Sequence, residues 1–221
     1  MTNDRTMPPR IARLPVDSRG YPVPKFASWH DGVPDFRLAD TAWVRRAFAE
    51  NRCWVCGDTL GQYKAFVIGP MCMVNRTTAE PPCHLECAEY SVRACPFLAF
   101  PQRKRNMDDL PADRIAPPGL TLERNPGVSL IWVCKTYKLA RAHGGNKGVL
   151  VTLGEATAKH WYRRGRPATL PEVLDAIETG LPALREIARV HDGPEGVREL
   201  EDLIAATFKA IREEPRWQES C

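Results

Sequence analysis

Towards the C-terminal end, apolar residues recur at the spacing of a helix face. Leu170, Val173, Leu174, Ile177, Leu181, Leu184 and Ala188 trace one stripe, and Val197, Leu200, Leu203, Ile204, Phe208 and Ile211 trace a second. Thr169 and Glu172 make a capping-box signature ahead of the first stripe, with Pro171 tolerated in the opening turn. Gly180 and Pro182 are expected to kink or break that helix. The segment HDGPEG separates the stripes, so the pattern predicts an antiparallel helical hairpin. Upstream, Asp40 can cap a helix whose stripe is Trp43, Val44, Ala47 and Phe48. A further helix, CHLECAEYSVRAC, is expected to open at Pro81-Pro82 and close at Pro96. The stretch GEATAKHWYRRG (154–165) is expected to be a short helix.

Strand chemistry marks other segments. Residues 25–37 read as two short strands around an Asp-Gly turn, and QYKAFVIG (62–69) reads as a strand stopped by Gly69-Pro70. VSLIWVCKTY (128–137) and KGVLVTL (147–153) are expected to pair as a hairpin through HGGN. Residues 1–20, rich in Arg and Pro without a hydrophobic period, read as an extended arm. The charged, proline-dense stretch 101–119 reads as a linker or surface loop. It would separate a lobe at 21–100 from a β-hairpin plus helices at 120–221.

Composition adds two constraints. With 43% hydrophobic and 26% charged residues the chain is an ordinary globular protein. Its opening residues contain no apolar run, and no stretch reaches the roughly 18 uncharged apolar residues that span a bilayer. A cytoplasmic protein without membrane association is expected, and in a reducing compartment its eight cysteines are ligands or free thiols before they are disulfides.

Four of these positions form the candidate chemistry. Cys53-x-x-Cys56-Gly57 is followed, 27 residues on, by His84-x-x-Cys87. A Cys-x-x-Cys turn presents two sulfurs to one ion, and the following glycine admits the left-handed backbone such a turn often needs. His84 and Cys87, three apart, would share a face at a helix start, where the macrodipole favours a thiolate. The expected cofactor is a structural zinc held by Cys53, Cys56, His84 and Cys87, with Cys83 an alternative fourth ligand. Cys72 and Cys95 are spare thiols. An iron–sulfur cluster stays open, although its usual Cys-x-x-Cys-x-x-Cys run is absent. Cys134 reads as a small core residue and Cys221 as a free thiol. Knuckle, strand, then ligands in a helix's first turn resembles the treble-clef class of zinc sites. The implied fold is α+β: a zinc-binding treble-clef-like lobe, a small antiparallel sheet and a C-terminal helical hairpin.

Catalytic signatures for phosphate loops, dinucleotide sites, zinc proteases and serine hydrolases are absent from the sequence. A metal-dependent nuclease of the His-Asn-His kind is disfavoured, because the hairpin region offers Asn75 and Glu80 but no histidine. His30, His143, His160 and His191 have no partner motif. Two readings remain. Arg103, Lys104 and Arg105, with Lys159, Trp161, Arg163, Arg164 and Arg166, combine cations and an aromatic ring suited to DNA or RNA. Residues 1–106 and 107–166 carry net charges of +5 each and 167–221 carries −6, so the C-terminal helices could instead dock another protein. The strings CWVCG, FVIGPMC, AEPPCHLECAEY and CPFL, with RLPVDSRGYPVP and GRPATLPEVLDAIETGLP, resemble a family of bacterial and prophage proteins. That resemblance spans most of the chain. It implies a phage or mobile-element setting, modestly favours the nucleic-acid reading and carries no catalytic residue.

Overall fold

The computed structural model describes residues 7–99, 110, 118, 127–142 and 148–217. Within them the chain is a mixed α+β protein with small antiparallel sheets and a helical C-terminal region. Its opening departs from the expected extended arm. Pro9–Ala12 makes one helical turn, α1, with Pro9 where a missing N–H costs nothing. Ile11 and Leu14 are buried, and that burial folds the segment onto the body. β1 (Ala27–His30) and β2 (Val33–Ala39) pair antiparallel. Asp31 and Gly32 between them have φ of 49° and 78°, both positive as a type I′ turn requires. Asp40 then caps α2 (Thr41–Ala49), its carboxylate accepting from the Ala42 and Trp43 N–H groups.

β3 (Lys64–Ile68) lies within the expected run, and Gly69-Pro70 ends it. Pro70 also opens an unforeseen turn of helix, α3 (Pro70–Val74), which buries Met71, Met73 and Val74. A two-residue strand, β4 (Thr77–Thr78), follows. The next helix starts later than expected, as α4 (Leu85–Ala94). Cys83 instead exchanges backbone bonds of 2.7 and 2.9 Å with Ala65 of β3, and Pro82 accepts one from the Trp54 N–H at 2.9 Å. A proline steers its predecessor away from helical backbone, which suits this extended approach. Pro96 ends α4 and begins α5 (Pro96–Ala99).

The run 128–137 is two strands rather than one. β5 (Ser129–Cys134) is buried throughout, whereas β6 (Tyr137–Arg141) is largely exposed. β6 makes the hairpin with β7 (Val149–Leu153), in a sheet ordered β4-β7-β6. Residues 154–165 are not helical either: Ala156–Arg163 is strand β8, and Arg166–Pro167 returns beside it as β9. The larger sheet is ordered β3-β5-β8-β9. Trp161 and Tyr162 explain the correction, since they pack into different cores on opposite faces, as neighbours on a strand do. The edge of β5 supplies the pairing that overrides local helix preference.

β3 pairs with β5 from Lys64 opposite Cys134 to Ile68 opposite Leu130. Strands from either side of 101–119 are therefore neighbours, and that stretch does not divide the core; of it only 110 and 118 lie among the described residues. One face of the sheet, with Phe66, Leu130, Trp132 and Trp161, packs against α3 and the C-terminal helices. The other, with Ala65, Ile131, Val133 and Tyr162, packs against the cysteine-bearing segments.

The first C-terminal stripe is broken at Gly180 into α6 (Leu170–Glu178) and α7 (Leu181–His191). A side chain at Gly180 would put its Cβ 2.8 Å from Met71 Sδ, so glycine lets α3 approach this joint. α8 (Gly193–Arg212) follows α7 across Asp192 and packs against it as the expected hairpin. No described helix is long and apolar enough to cross a membrane.

Beyond α8, buried Glu214 meets Lys159 of β8 at 2.6 Å, tying the C-terminal segment to the sheet. Lys159→Met should destabilise the protein by about 3 kcal/mol, because it removes the cation paired with a buried carboxylate. Lys159→Met combined with Glu214→Leu should recover most of that loss in urea unfolding. A double variant as unstable as the sum of the singles would show the two groups to be independent.

Candidate metal centre

The knuckle is built by backbone bonds. Cys53 N–H donates to Asp58 O at 2.7 Å, Gly57 N–H to Cys53 O at 3.0 Å, and Cys56 N–H to Cys53 Sγ at 3.4 Å. Gly57 has φ of 86°, which glycine alone adopts without strain. Lys25 N–H reaches Val55 O at 2.8 Å, and Phe26 stacks on Trp54 with ring centroids 4.8 Å apart. The loop is thus braced from its outer side and its sulfurs face inward.

The second pair comes from the start of α4. His84 is the N-cap residue, with extended backbone, and Cys87 lies in the first turn. His84 is therefore not one helical step above Cys87, as the spacing implied, yet the two converge. The donor atoms of Cys53, Cys56, His84 and Cys87 all lie within 4.8 Å of one another. His84 Nδ1 is 3.5 Å from Cys56 Sγ and 4.0 Å from Cys87 Sγ. Its Nε2 is 3.2 Å from the carbonyl oxygen of Thr59. That oxygen can only accept, so when the ring is neutral its proton belongs on Nε2 and Nδ1 is the nitrogen left to ligate.

The four groups perturb one another strongly. A hydrogen bond from Cys56, then one from Cys87, holds the Cys53 thiol far below its ordinary value. Hydrogen bonding with Cys53, then with Cys56, pushes Cys87 far up. The same two sulfurs, Cys53 first, push His84 up to about 10. The directions at Cys53 and His84 favour a thiolate beside an imidazolium when no ion is bound. Three thiolates and a neutral imidazole require a cation among them.

The cluster can hold a metal ion, and its three cysteines are buried and free of disulfides. Cys83 is not part of it; its thiol donates to Ala65 O at 3.3 Å, and burial pushes it well up. Cys72 and Cys95 lie outside it, and burial raises Cys72 to about 11. Cys134 is buried in β5 as expected, and Cys221 lies outside the described residues.

The outer shell was not foreseen. α1 brings Ile11 and Leu14 into the same core as Cys53, Cys56 and Cys87. Arg10 meets Asp58, just past the knuckle, and Glu86, just before Cys87, both at 2.7 Å. Arg13 joins Asp58 at 2.6 Å. One arginine thus bridges both halves of the site. The available signal was the doubled three-residue spacing in RIARL, with Arg10 and Arg13 on one side and Ile11 and Leu14 on the other.

Among the described residues, the nucleic-acid candidates Lys159, Trp161, Arg163 and Arg166 are engaged within the fold. Arg103, Lys104 and Arg105 lie outside the described residues. Lys159 is the partner of Glu214, and Trp161, 1% exposed, offers no ring to a base. Arg163 and Arg166 both meet Glu172, at 3.6 and 2.5 Å, while Arg164 is exposed in the β8–β9 turn. His30, His160 and His191 sit on β1, β8 and α7, and His143 lies outside the described residues. Comparison of the chain with protein-family models, curated proteins and solved structures found no match.

Glu172 carries a titration signature. The Arg166 guanidinium, assisted by the Thr169 N–H at 2.9 Å, holds its carboxyl down at about 2 against an ordinary 4.5. A folded-state value below the unfolded one means stabilisation that is present above about pH 4.5 and lost as the pH falls towards 2. Glu172→Gln should therefore lower the thermal midpoint at neutral pH, with the difference from wild type closing near pH 2. A difference that persists unchanged into acid would assign the effect to the uncharged cap alone.

Proposed function

We propose that this is a zinc-stabilised binding or adaptor protein whose Cys53–Cys56–His84–Cys87 centre is structural rather than catalytic. The observation that carries this is the closed convergence of four donors. Zinc bonds of about 2.3 Å to sulfur and 2.0–2.1 Å to nitrogen imply tetrahedral N···S edges of about 3.5 Å and S···S edges of about 3.8 Å. The 3.5 and 4.0 Å separations at His84 Nδ1 suit that size. The space is that of a single ion, and thiolate with imidazole is a donor set that zinc favours. Four protein ligands leave no position for water or substrate, which supports a structural role. The extended pairing of β3 with Cys83 immediately before α4 supports the treble-clef-like reading.

A protein partner is the better reading of the binding role, because the cations proposed for nucleic acid at Lys159, Arg163 and Arg166 already meet carboxylates. A cytoplasmic setting fits the free thiols. A phage or mobile-element context belongs to this reading through the sequence resemblance alone.

Elemental analysis of the purified full-length protein should find one zinc per chain. Cys56→Ser and His84→Ala should each lose it, and a strong chelator should unfold the cysteine lobe, since zinc contributes on the order of 10 kcal/mol to small zinc modules. Bound iron, or a metal-free protein whose thermal midpoint ignores both substitutions, would overturn the assignment.

A further inference from the structure

We propose that the outer edge of β6 is a docking strand for an extended, acidic polypeptide segment. This names the chemistry of the partner and rests on the reading that the protein is a binding module, but not on the identity of its metal.

β6 ends the β4-β7-β6 sheet, and among the described residues no strand lies beyond it. The Ala142 N–H donates to Gly148 O on the β7 side at 3.0 Å. In an antiparallel ladder this direction alternates, so Lys138 and Ala140 also turn their backbone groups towards β7. The N–H and C=O groups of Leu139 and Arg141 then point outward. All four residues from Lys138 to Arg141 are exposed, Leu139 by 51%.

The side chains extend the case. Leu139 lies opposite Val151, which is wholly buried, and Arg141 lies opposite Val149, which is 40% exposed. These four share one face, so the apolar surface that covers Val151 runs on to Leu139 and Val149, which no described residue covers. A further strand beside β6 would supply that cover.

Charge selects the kind of strand. Lys135, Lys138 and Arg141 have no acidic partner among the described residues. A second copy pairing edge to edge would set these cations against their equivalents, which disfavours self-association. A nucleic acid could meet the cations but would leave the outward amides and Leu139 unmatched. A segment that alternates acidic and apolar residues pairs with the outward amides, lays its apolar side chains over Leu139 on one face and sets its carboxylates beside Lys138 on the other.

The test uses the full chain, with its metal content measured first, and a fluorescein-labelled peptide alternating glutamate and valine. The peptide should bind in fluorescence anisotropy, and Lys138→Glu, on the face that receives the carboxylates, should weaken it about tenfold. Methylating the backbone nitrogens on one edge of the peptide should abolish binding, because it removes the donors of strand addition. Leu139→Pro should do the same while metal content and thermal midpoint are kept, since its N–H faces solvent and serves no internal bond. The proposal is overturned by no binding of the parent peptide, by equal binding of the methylated one, or by preference for an oligothymidylate that depends on the same residues. Peptide binding by protein that lacks zinc would count against the zinc assignment alone.

Discussion

Side chains alternate across a strand, and in β5 both sides are dry. Leu130, Trp132 and Cys134 enter the core shared with the C-terminal helices, while Ile131 and Val133 enter the core shared with the cysteine segments. A strand in that position must be apolar at every residue and paired along both edges, because an unpaired amide or a polar side chain there would have no water to turn to. β3 and β8 supply those edges. The arrangement joins the two halves of the chain without a long linker contact, and it settles where the metal centre can form. Ala65 lies on β3 beside β5, and its two bonds to Cys83 deliver the chain to His84 and α4 at the right place.

The candidate centre lies within the second core, beside Ile11, Leu14, Trp54, Leu60 and Val92. Its ligands come from a backbone-braced turn and a helix start, two elements that no sheet connects directly. Burial of Ile11 and Leu14, and the bridge from Arg10 to Asp58 and Glu86, add a cover from a third segment. These exposed ion pairs contribute little stability individually. They join α1 to both halves of the site.

Charge is distributed in a related way. Lys159, Arg163 and Arg166 are directed to Glu214 and Glu172, where they attach the C-terminal segment and the cap of α6 to the sheet. Cations that look like a binding patch along the chain are therefore part of the architecture. Those on and beside β6 are different, because among the described residues that strand has no neighbour on its outer side.

Features governed by near neighbours were legible in the residues alone. The Asp31-Gly32 turn, the Asp40 cap, the Thr169–Glu172 capping box and the break at Gly180 each depend on a few consecutive side chains, and each is present. The identity of Cys53, Cys56, His84 and Cys87 was legible in their paired spacing, while their convergence rests on the tertiary pairing of Cys83 with Ala65 and of Pro82 with Trp54. Tertiary structure decided the rest. Residues 156–163 are a strand because β5 offers an edge, 128–137 divides because its two halves find different partners, and Pro9–Ala12 turns because Ile11 and Leu14 have somewhere to be buried. Local preference differs little between such alternatives, whereas a ladder of hydrogen bonds and a dry face exist only once the distant segment has arrived.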